Sequence, residues 1–337
     1  MSWYNEGGPS SDVVVSTRVR FARNLKSYKF PSKMTADEAN HLIDEVYNCF
    51  IDSNKSFNSD FKLYKMSDIS MDEKLTLFEK HLISKDLCRQ ALPGACIVSN
   101  DETISIMLCE EDHFRLQVIY PGLQLEKALE MASKYETLLS GRLDFAQSDT
   151  LGYLTSCPTN VGSGLRVSAM LHLPALTMTK NITGIVNSVG KLGLTIRGMY
   201  GEGTGAGGCL YQLSNQVTLG ISSDEILKKV KDVLEQIVSL EIKARKALLE
   251  RNEAEIKNRC MRAFGTLKNS YAISSEEMLN LLSDARLGVA LGVVDTSYDK
   301  ISKLLVEGSP AFIITYQKIT APKKRDIKRA EMAKSIL

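Results

Sequence analysis

Four separate segments of this chain each carry an arginine in a polar setting. They are Ser16-Thr17-Arg18-Val19-Arg20, Glu110-Glu111-Asp112-His113-Phe114-Arg115, the stretch from Cys157 to Arg166, and Arg197-Gly198-Met199-Tyr200-Gly201-Glu202-Gly203. A planar guanidinium grips phosphate oxygens bidentately. The sequence contains no Lys-bearing loop of the form G-x-x-x-x-G-K-[ST], so a nucleotide bound here is held another way. Arginine forks spread over several strands supply that way, and adjacent carboxylates beside one of them supply a general base. These residue types point to phosphoryl transfer from a nucleotide without a phosphate loop.

Each segment also has a plainer reading. Arg18 and Arg20 alternate after Val13-Val14-Val15, as they would on an edge strand with a solvated basic face. Three acids in a row, Glu110-Glu111-Asp112, are usually solvated turn residues. Here they lie between two apolar strands, and beside Arg115 and His113 they can bind Mg²⁺, orient a guanidinium or accept its proton. Cys157 reads either as a small residue at a strand end or as a thiolate near arginines; with no His-Asp arrangement evident, it is given no nucleophilic role. Gly203, Gly205 and Gly208 form a formal G-x-G-x-x-G, but Cys209–Ser214 alternates like a strand where a dinucleotide fold needs a helix. The glycines better suit a loop that closes over substrate. His81 reads as a helix-end histidine, and Arg325 with Arg329 as an i, i+4 pair on a basic terminal helix.

The elements that must position these residues follow from periodicity. Strands are expected at Asp12–Ser16, Ile104–Leu108, Phe114–Ile119, Gly152–Thr155, Leu165–Leu173 and Cys209–Leu213. Along the fifth, Arg166, Ser168 and Met170 share one face. Helices are expected at Thr35–Ile51 (Thr35 with Glu38 as a capping box), Leu123–Gly141 and Leu173–Leu192. Hairpin-length gaps imply an α+β fold, a largely antiparallel sheet flanked by helices. After Gly220 the pattern turns helical: Ser223–Lys257 begun by Ser222 or Ser223, Ser275–Leu291 begun by Ser274, and Lys323–Ile336. The boundary is placed near residue 246, giving a catalytic unit 1–245 and a helical unit 246–337.

Composition sets softer bounds. A chain of 337 residues with 44% hydrophobic and 24% charged content is long enough for two or three ordinary globular domains. The formal charge of +2 predicts no nucleic-acid or membrane attraction. No apolar run approaches the ~18 residues that span a bilayer, and the N-terminus lacks a signal peptide, so a cytoplasmic location is expected. Seven cysteines without a C-x-x-C pair argue against a disulfide framework or a zinc site.

Taken in order, the four segments resemble the phosphagen (guanidino) kinases, and within them the bacterial protein-arginine kinases, over roughly residues 12 to 245. The resemblance implies an ATP-dependent kinase in which Arg18, Arg20, Arg115, Arg166 and Arg197 clamp the nucleotide with Mg²⁺. Glu111 is then the catalytic carboxylate, with Asp112 the next candidate, and Glu202 the second carboxylate holding the guanidinium. Nucleotide contacts are expected across Ser16, Thr17 and Val19, across Val167, Ser168, Ala169 and Met170, across Gly198, Met199, Tyr200, Gly201 and Glu202, and at His81. No protein metal site is expected. The chain begins seventeen residues before Arg18, without the helical domain that creatine and arginine kinases carry there, which favours a bulky acceptor such as a protein arginine. The tail matches an Arg-Asp-x-x-Arg-Ala phosphoarginine pocket at Arg325, Asp326, Arg329 and Ala330. Protein substrates, a transcriptional repressor, an activator protein, a link to the stress response, allosteric regulation and a homodimer are implied. A metabolic kinase of free arginine and a catalytically idle phosphoarginine-binding adaptor are the alternatives.

Overall fold

The structure is a computed structural model that describes residues 2–54, 60–199 and 206–337. Its strands are β1 (Val14–Arg23), β2 (Phe61–Lys65), β3 (Ala95–Ser99), β4 (Ile104–Leu108), β5 (Phe114–Pro121), β6 (Gln147–Ser148), β7 (Gly152–Tyr153), β8 (Leu165–His172), β9 (Leu194–Gly198) and β10 (Leu210–Asn215). Its helices are α1 (Ala36–Asn54), α2 (Met71–Glu79), α3 (Lys85–Arg89), α4 (Leu125–Ser140), α5 (Pro174–Met178), α6 (Ile182–Lys191), α7 (Ser223–Asn269), α8 (Ser275–Ala290), α9 (Tyr298–Glu307), α10 (Pro310–Gln317) and α11 (Pro322–Ile336).

Eight strands form one sheet in the order β2-β3-β4-β5-β1-β8-β10-β9, and every neighbouring pair is antiparallel. The expected α+β architecture is therefore present. One sheet face carries Val19, Leu116, Val118, Val167 and Leu213, all buried completely in a core shared with Leu42 and Val46 of α1, Ala128 of α4 and Val230 of α7. Each such fully buried Val or Leu contributes roughly 1.5–3 kcal/mol, so this face is committed to the core and the opposite face is left for function.

Helix starts follow their caps. The Glu38 side chain accepts from Thr35 N at 2.8 Å while Glu38 N donates to Thr35 Oγ1. Ser222 and Glu225 make the same reciprocal box at the start of α7, and Ser274 caps α8. Several bounds differ from the sequence reading. β1 begins at Val14 and continues to Arg23, so Arg18 and Arg20 sit inside the strand rather than beyond it. The single helix expected over Leu173–Leu192 is two, because the Thr177 and Thr179 hydroxyls bond back to Leu173 O and Ala175 O and Lys180 turns left-handed at φ 58°. α7 runs past Lys257 to Asn269, with a break at Asn252 (φ −137°, ψ 46°). β7 stops at Tyr153, short of Thr155.

Helices α8 to α11 enclose a second core around Leu267, Met278, Leu282, Leu304 and Ala330. This unit is seated on the sheet unit by buried polar contacts. The Glu79 carboxylate accepts from Ala311 N and Phe312 N at 3.1 and 3.0 Å, closing the N-terminus of α10. His172 and Ser283 meet at 2.9 Å, and Arg286 donates to Ser11 O. Trp3 and Tyr4 pack with Ile119 of β5 and Val306 of α9, so the first residues also join the two units.

Candidate active site

Strand register gathers the arginines. Directly opposed residues of an antiparallel pair share a face, as do residues two apart along a strand. Arg20 lies opposite Gln117 on β5 and Arg166 on β8, while Arg18 lies opposite Ser168. Arg115 is opposite Ala22, two residues from Arg20. Met170 pairs with Gln212, which pairs with Arg197. Arg18, Arg20, Arg115, Arg166 and Arg197 therefore share the face that is not packed into the main core, with Ser16, Ser168 and Met170 among them.

The same alternation turns the side chains of several expected contacts away from this face. Thr17, Val19, Val167 and Ala169 are buried on the core side, and the Thr17 hydroxyl accepts from Gln124 N. Gly198 sits opposite Tyr211, whose side chain belongs to that core. The side chains of Thr17, Val19, Val167 and Ala169 thus point away from the cleft, and Gly198 presents none to it. Tyr200, Gly201 and Glu202 lie outside the described residues.

The arginine face is short of partners. Arg18 donates to Gln117 Oε1 and Gln212 Oε1 at 3.4 and 3.3 Å. The Nε groups of Arg20, Arg115 and Arg166 are buried with no hydrogen-bond partner among the described residues. Burial, reinforced by repulsion from the neighbouring guanidiniums, lowers the pKa of Arg18 to about 10, that of Arg20 well below its usual value and that of Arg166 in the same direction. Orphaned buried donors and crowded positive charge are costly alone, and a polyanion relieves both. The face opens into a cavity of about 1040 Å³, closed on its far side by α8, α9 and the start of α10. Its volume suits a nucleotide-sized ligand.

His81 lines this cavity at the end of α2. Its left-handed backbone (φ 61°) presents its carbonyl to Gln117 Nε2 at 2.7 Å. Burial and the charge of Arg18 bring its pKa down to about 3, so the ring is a neutral hydrogen-bonding group throughout the physiological range.

The three acids have three different tasks. Glu110 is clamped by Arg115, Nη1 to Oε2 at 3.2 Å and Nη2 to Oε1 at 3.3 Å, and accepts from Ser84 Oγ at 2.6 Å. Glu111 stays exposed at the rim; partial burial, then Asp112 and Glu110, raise its pKa, while Arg115 and a hydrogen bond with Cys157 oppose the rise. Asp112 is 2% exposed, and its Oδ1 accepts from Asn24 Nδ2 and Ser156 N, both at 2.7 Å. Asp112 is therefore a pin between the end of β1 and the loop that carries Cys157. His113 is likewise structural: Nδ1 accepts from Leu25 N and Nε2 donates to Lys29 O.

The tail motif is divided in the same way. Arg329 is 1% exposed; its Nε donates to Gly308 O, and its Nη1 donates to Ile273 O and to Asp326 Oδ1, each at 2.7 Å. Ala330 is buried in the helical core. Arg325 is half-buried, bonded to Thr320 O. Half of the motif thus holds the helical unit together.

Gln117 and Gln212 escaped the sequence reading. Gln117 follows Arg115 by two residues on β5, and Gln212 is flanked by apolar residues on β10, so strand alternation was the available signal.

An antiparallel sheet with one face of convergent arginines, and a carboxylate at its rim, is the architecture of a phosphoryl-transfer enzyme. A family profile described as ATP:guanido phosphotransferase, C-terminal catalytic domain, matches residues 41–244, and the chain belongs to this family. A second profile, described as Protein-arginine kinase McsB C-terminal domain, matches residues 253–337. A protein-arginine kinase of Caldanaerobacter subterraneus is 44% identical over 324 residues, covering 95% of each chain. One from Geobacillus stearothermophilus is 40% identical over 338 residues, covering 100% of this chain and 93% of its own. Among solved structures, a lombricine kinase superposes with a TM-score of 0.59 at 23% identity, covering 72% of this chain and 68% of that one. A duplicated taurocyamine kinase from Schistosoma mansoni reaches 0.61 at 23% identity, over 79% of this chain and 38% of that one. These two structures share the fold.

Proposed function

We infer that this chain transfers the γ-phosphoryl group of ATP to arginine side chains of proteins. The observation that carries the donor half is the arginine face, with the buried Nε groups of Arg20, Arg115 and Arg166 lacking partners among the described residues. The acceptor half is supported by relatives of 40–44% identity over nearly the whole chain, all protein-arginine kinases.

In this reading Arg18, Arg20, Arg115, Arg166 and Arg197 hold the polyphosphate and offset the charge that builds on the transferring group. An acceptor guanidinium is protonated and delocalised, hence a poor nucleophile. Glu111 orients its plane and takes one proton from the nitrogen that attacks the γ-phosphorus; the bond to the bridging oxygen breaks, and ADP leaves. The raised pKa of Glu111 makes it the stronger base. Glu202 is proposed as the second carboxylate on the acceptor. Among the described residues no group of three or more His, Cys, Asp or Glu side chains is placed to hold a metal. Mg²⁺ would enter with the nucleotide and neutralise phosphate charge beside the arginines that hold the polyphosphate.

Residues 1–245 form the catalytic unit and 246–337 the helical one, divided within α7. The helical unit carries a phosphoarginine site around Arg325 and Asp326. No helix among the described residues is long and apolar enough to cross a membrane. A cytoplasmic enzyme, working as a homodimer with an activator protein on substrates that include a stress-response repressor, is the matching cellular setting.

The test is incubation with Mg-ATP and either an unfolded protein or free arginine, with acid-labile phosphate located by mass spectrometry. Label on protein arginines is expected. Robust turnover of free arginine without labelled protein would overturn the reading.

A further inference from the structure

The two walls of the 1040 Å³ cavity are chemically opposite. The sheet wall presents Arg18, Arg20, Arg115 and Arg197 with Gln117 and Gln212. The far wall includes Leu279 of α8 and Leu305 of α9, both only partly buried. These leucines pack on Met170 and Leu210, beside Met199, at the point where the helical unit meets the sheet. Apolar side chains left partly open to a cavity gain when a flat apolar group displaces the water against them.

Position along β8, which lies beside the cavity rather than in its lining, gives the arginine face a direction. Arg166, Ser168 and Met170 share one face, so the first and last are roughly 13 Å apart along the strand. The unpartnered guanidinium Nε groups cluster at the Arg166 end, where Arg20 is directly opposite. The apolar cluster lies at the Met170 end. Between them are the polar groups Ser168, Gln212 and the neutral ring of His81. A nucleoside triphosphate has the same order of chemistry: polyanion, hydroxylated sugar, planar base.

We propose that Leu279 and Leu305, with Met199, form the base-binding end of the nucleotide site. The C-terminal helices then complete the ATP pocket as well as carrying the tail motif. This inference rests on the reading of ATP as phosphoryl donor. It makes nucleotide affinity depend on how α8 and α9 are seated against the sheet, because neither leucine reaches Met170 unless the two units are docked.

The experiment is calorimetric titration of the full chain with ADP, CDP and inorganic tripolyphosphate, in wild type and in Leu279→Ala/Leu305→Ala. Removing both leucine side chains should weaken ADP about tenfold and shrink the preference for ADP over CDP. Tripolyphosphate, which has no base, should keep its affinity within twofold. Leu279→Met, which refills the same volume, should hold ADP as the wild type does. Parallel weakening of ADP and tripolyphosphate would overturn the inference, since it would mean only a loosened interface. So would unchanged ADP affinity with a raised KM for an acceptor protein, which would give this wall to the acceptor. A wild-type chain that binds no ADP would remove the donor reading itself, and the inference with it.

Discussion

Burial and the adjacent Asp112 and Glu110 raise the pKa of Glu111, and Arg115 limits the rise. A base acts only when ionised, so kcat should fall as pH drops through that raised value, placing the acid limb of the pH–rate profile above the ordinary carboxylate pKa of 4.5. Glu111→Gln keeps a group that can touch the acceptor but cannot take its proton. It should lower kcat by on the order of 10²–10⁴ and abolish the acid limb, with ADP affinity retained on calorimetry. A variant with near wild-type kcat would move the base elsewhere. At this scale the sequence was most informative about residue type. The arginines and the acidic run could be picked out, because charge in otherwise apolar strands is conspicuous. Which acid faces the cleft was hidden: Glu111 and Asp112 are neighbours, and only the tertiary partners Asn24 and Ser156 turn one of them inward.

Those partners make Asp112 an element-scale device, joining the end of β1 to the loop before Pro158. Asn at this position still accepts through Oδ1, so Asp112→Asn should keep most activity and stability. Asp112→Ala orphans two buried donors and should cost about 1–3 kcal/mol for each, read from denaturant unfolding, with a fall in kcat as the loop loosens. If Asn were as damaging to kcat as Ala, Asp112 would be a catalytic acid after all. Gly162 holds the far side of the same loop. Its φ of +109° is one that side chains rarely adopt, and a Cβ there would lie 2.5 Å from Thr218 O. Gly162→Ala should therefore destabilise by roughly 1–3 kcal/mol, measurable as a lowered midpoint of unfolding. Elements were legible where a cap preceded a periodic stretch, as at Thr35, Ser222 and Ser274. The equally clear Ser70–Glu73 box of α2 went unread, although His81 was read as a helix-end residue. β2, β3 and β9 are five-residue strands whose identity comes from the neighbours they pair with, which no local pattern reveals.

The two units are joined through α2 and α10, and that junction links the tail motif to the nucleotide site. Arg329 grips Gly308 O just ahead of α10, the Glu79 carboxylate closes the N-terminus of α10, and two residues later His81 enters the cavity. A ligand at the tail can change activity only by favouring one seating of the units over another, typically by ~1–3 kcal/mol of coupling. The two tail arginines should then fail differently. Arg325 is half-buried and bonded to one carbonyl, so Arg325→Ala should leave the melting temperature nearly unchanged while phosphoarginine affinity falls. Arg329 is a buried clamp on Gly308, Ile273 and Asp326, and a lysine ammonium cannot reproduce a fork aimed at all three. Arg329→Lys should lose roughly 3 kcal/mol of stability in the helical unit as well as phosphoarginine binding. Thermal unfolding paired with calorimetric titration of phosphoarginine separates the two. Wild-type affinity in Arg325→Ala would remove the tail as the phosphoarginine site, and wild-type melting in Arg329→Lys would show that the buried clamp does not hold the unit together.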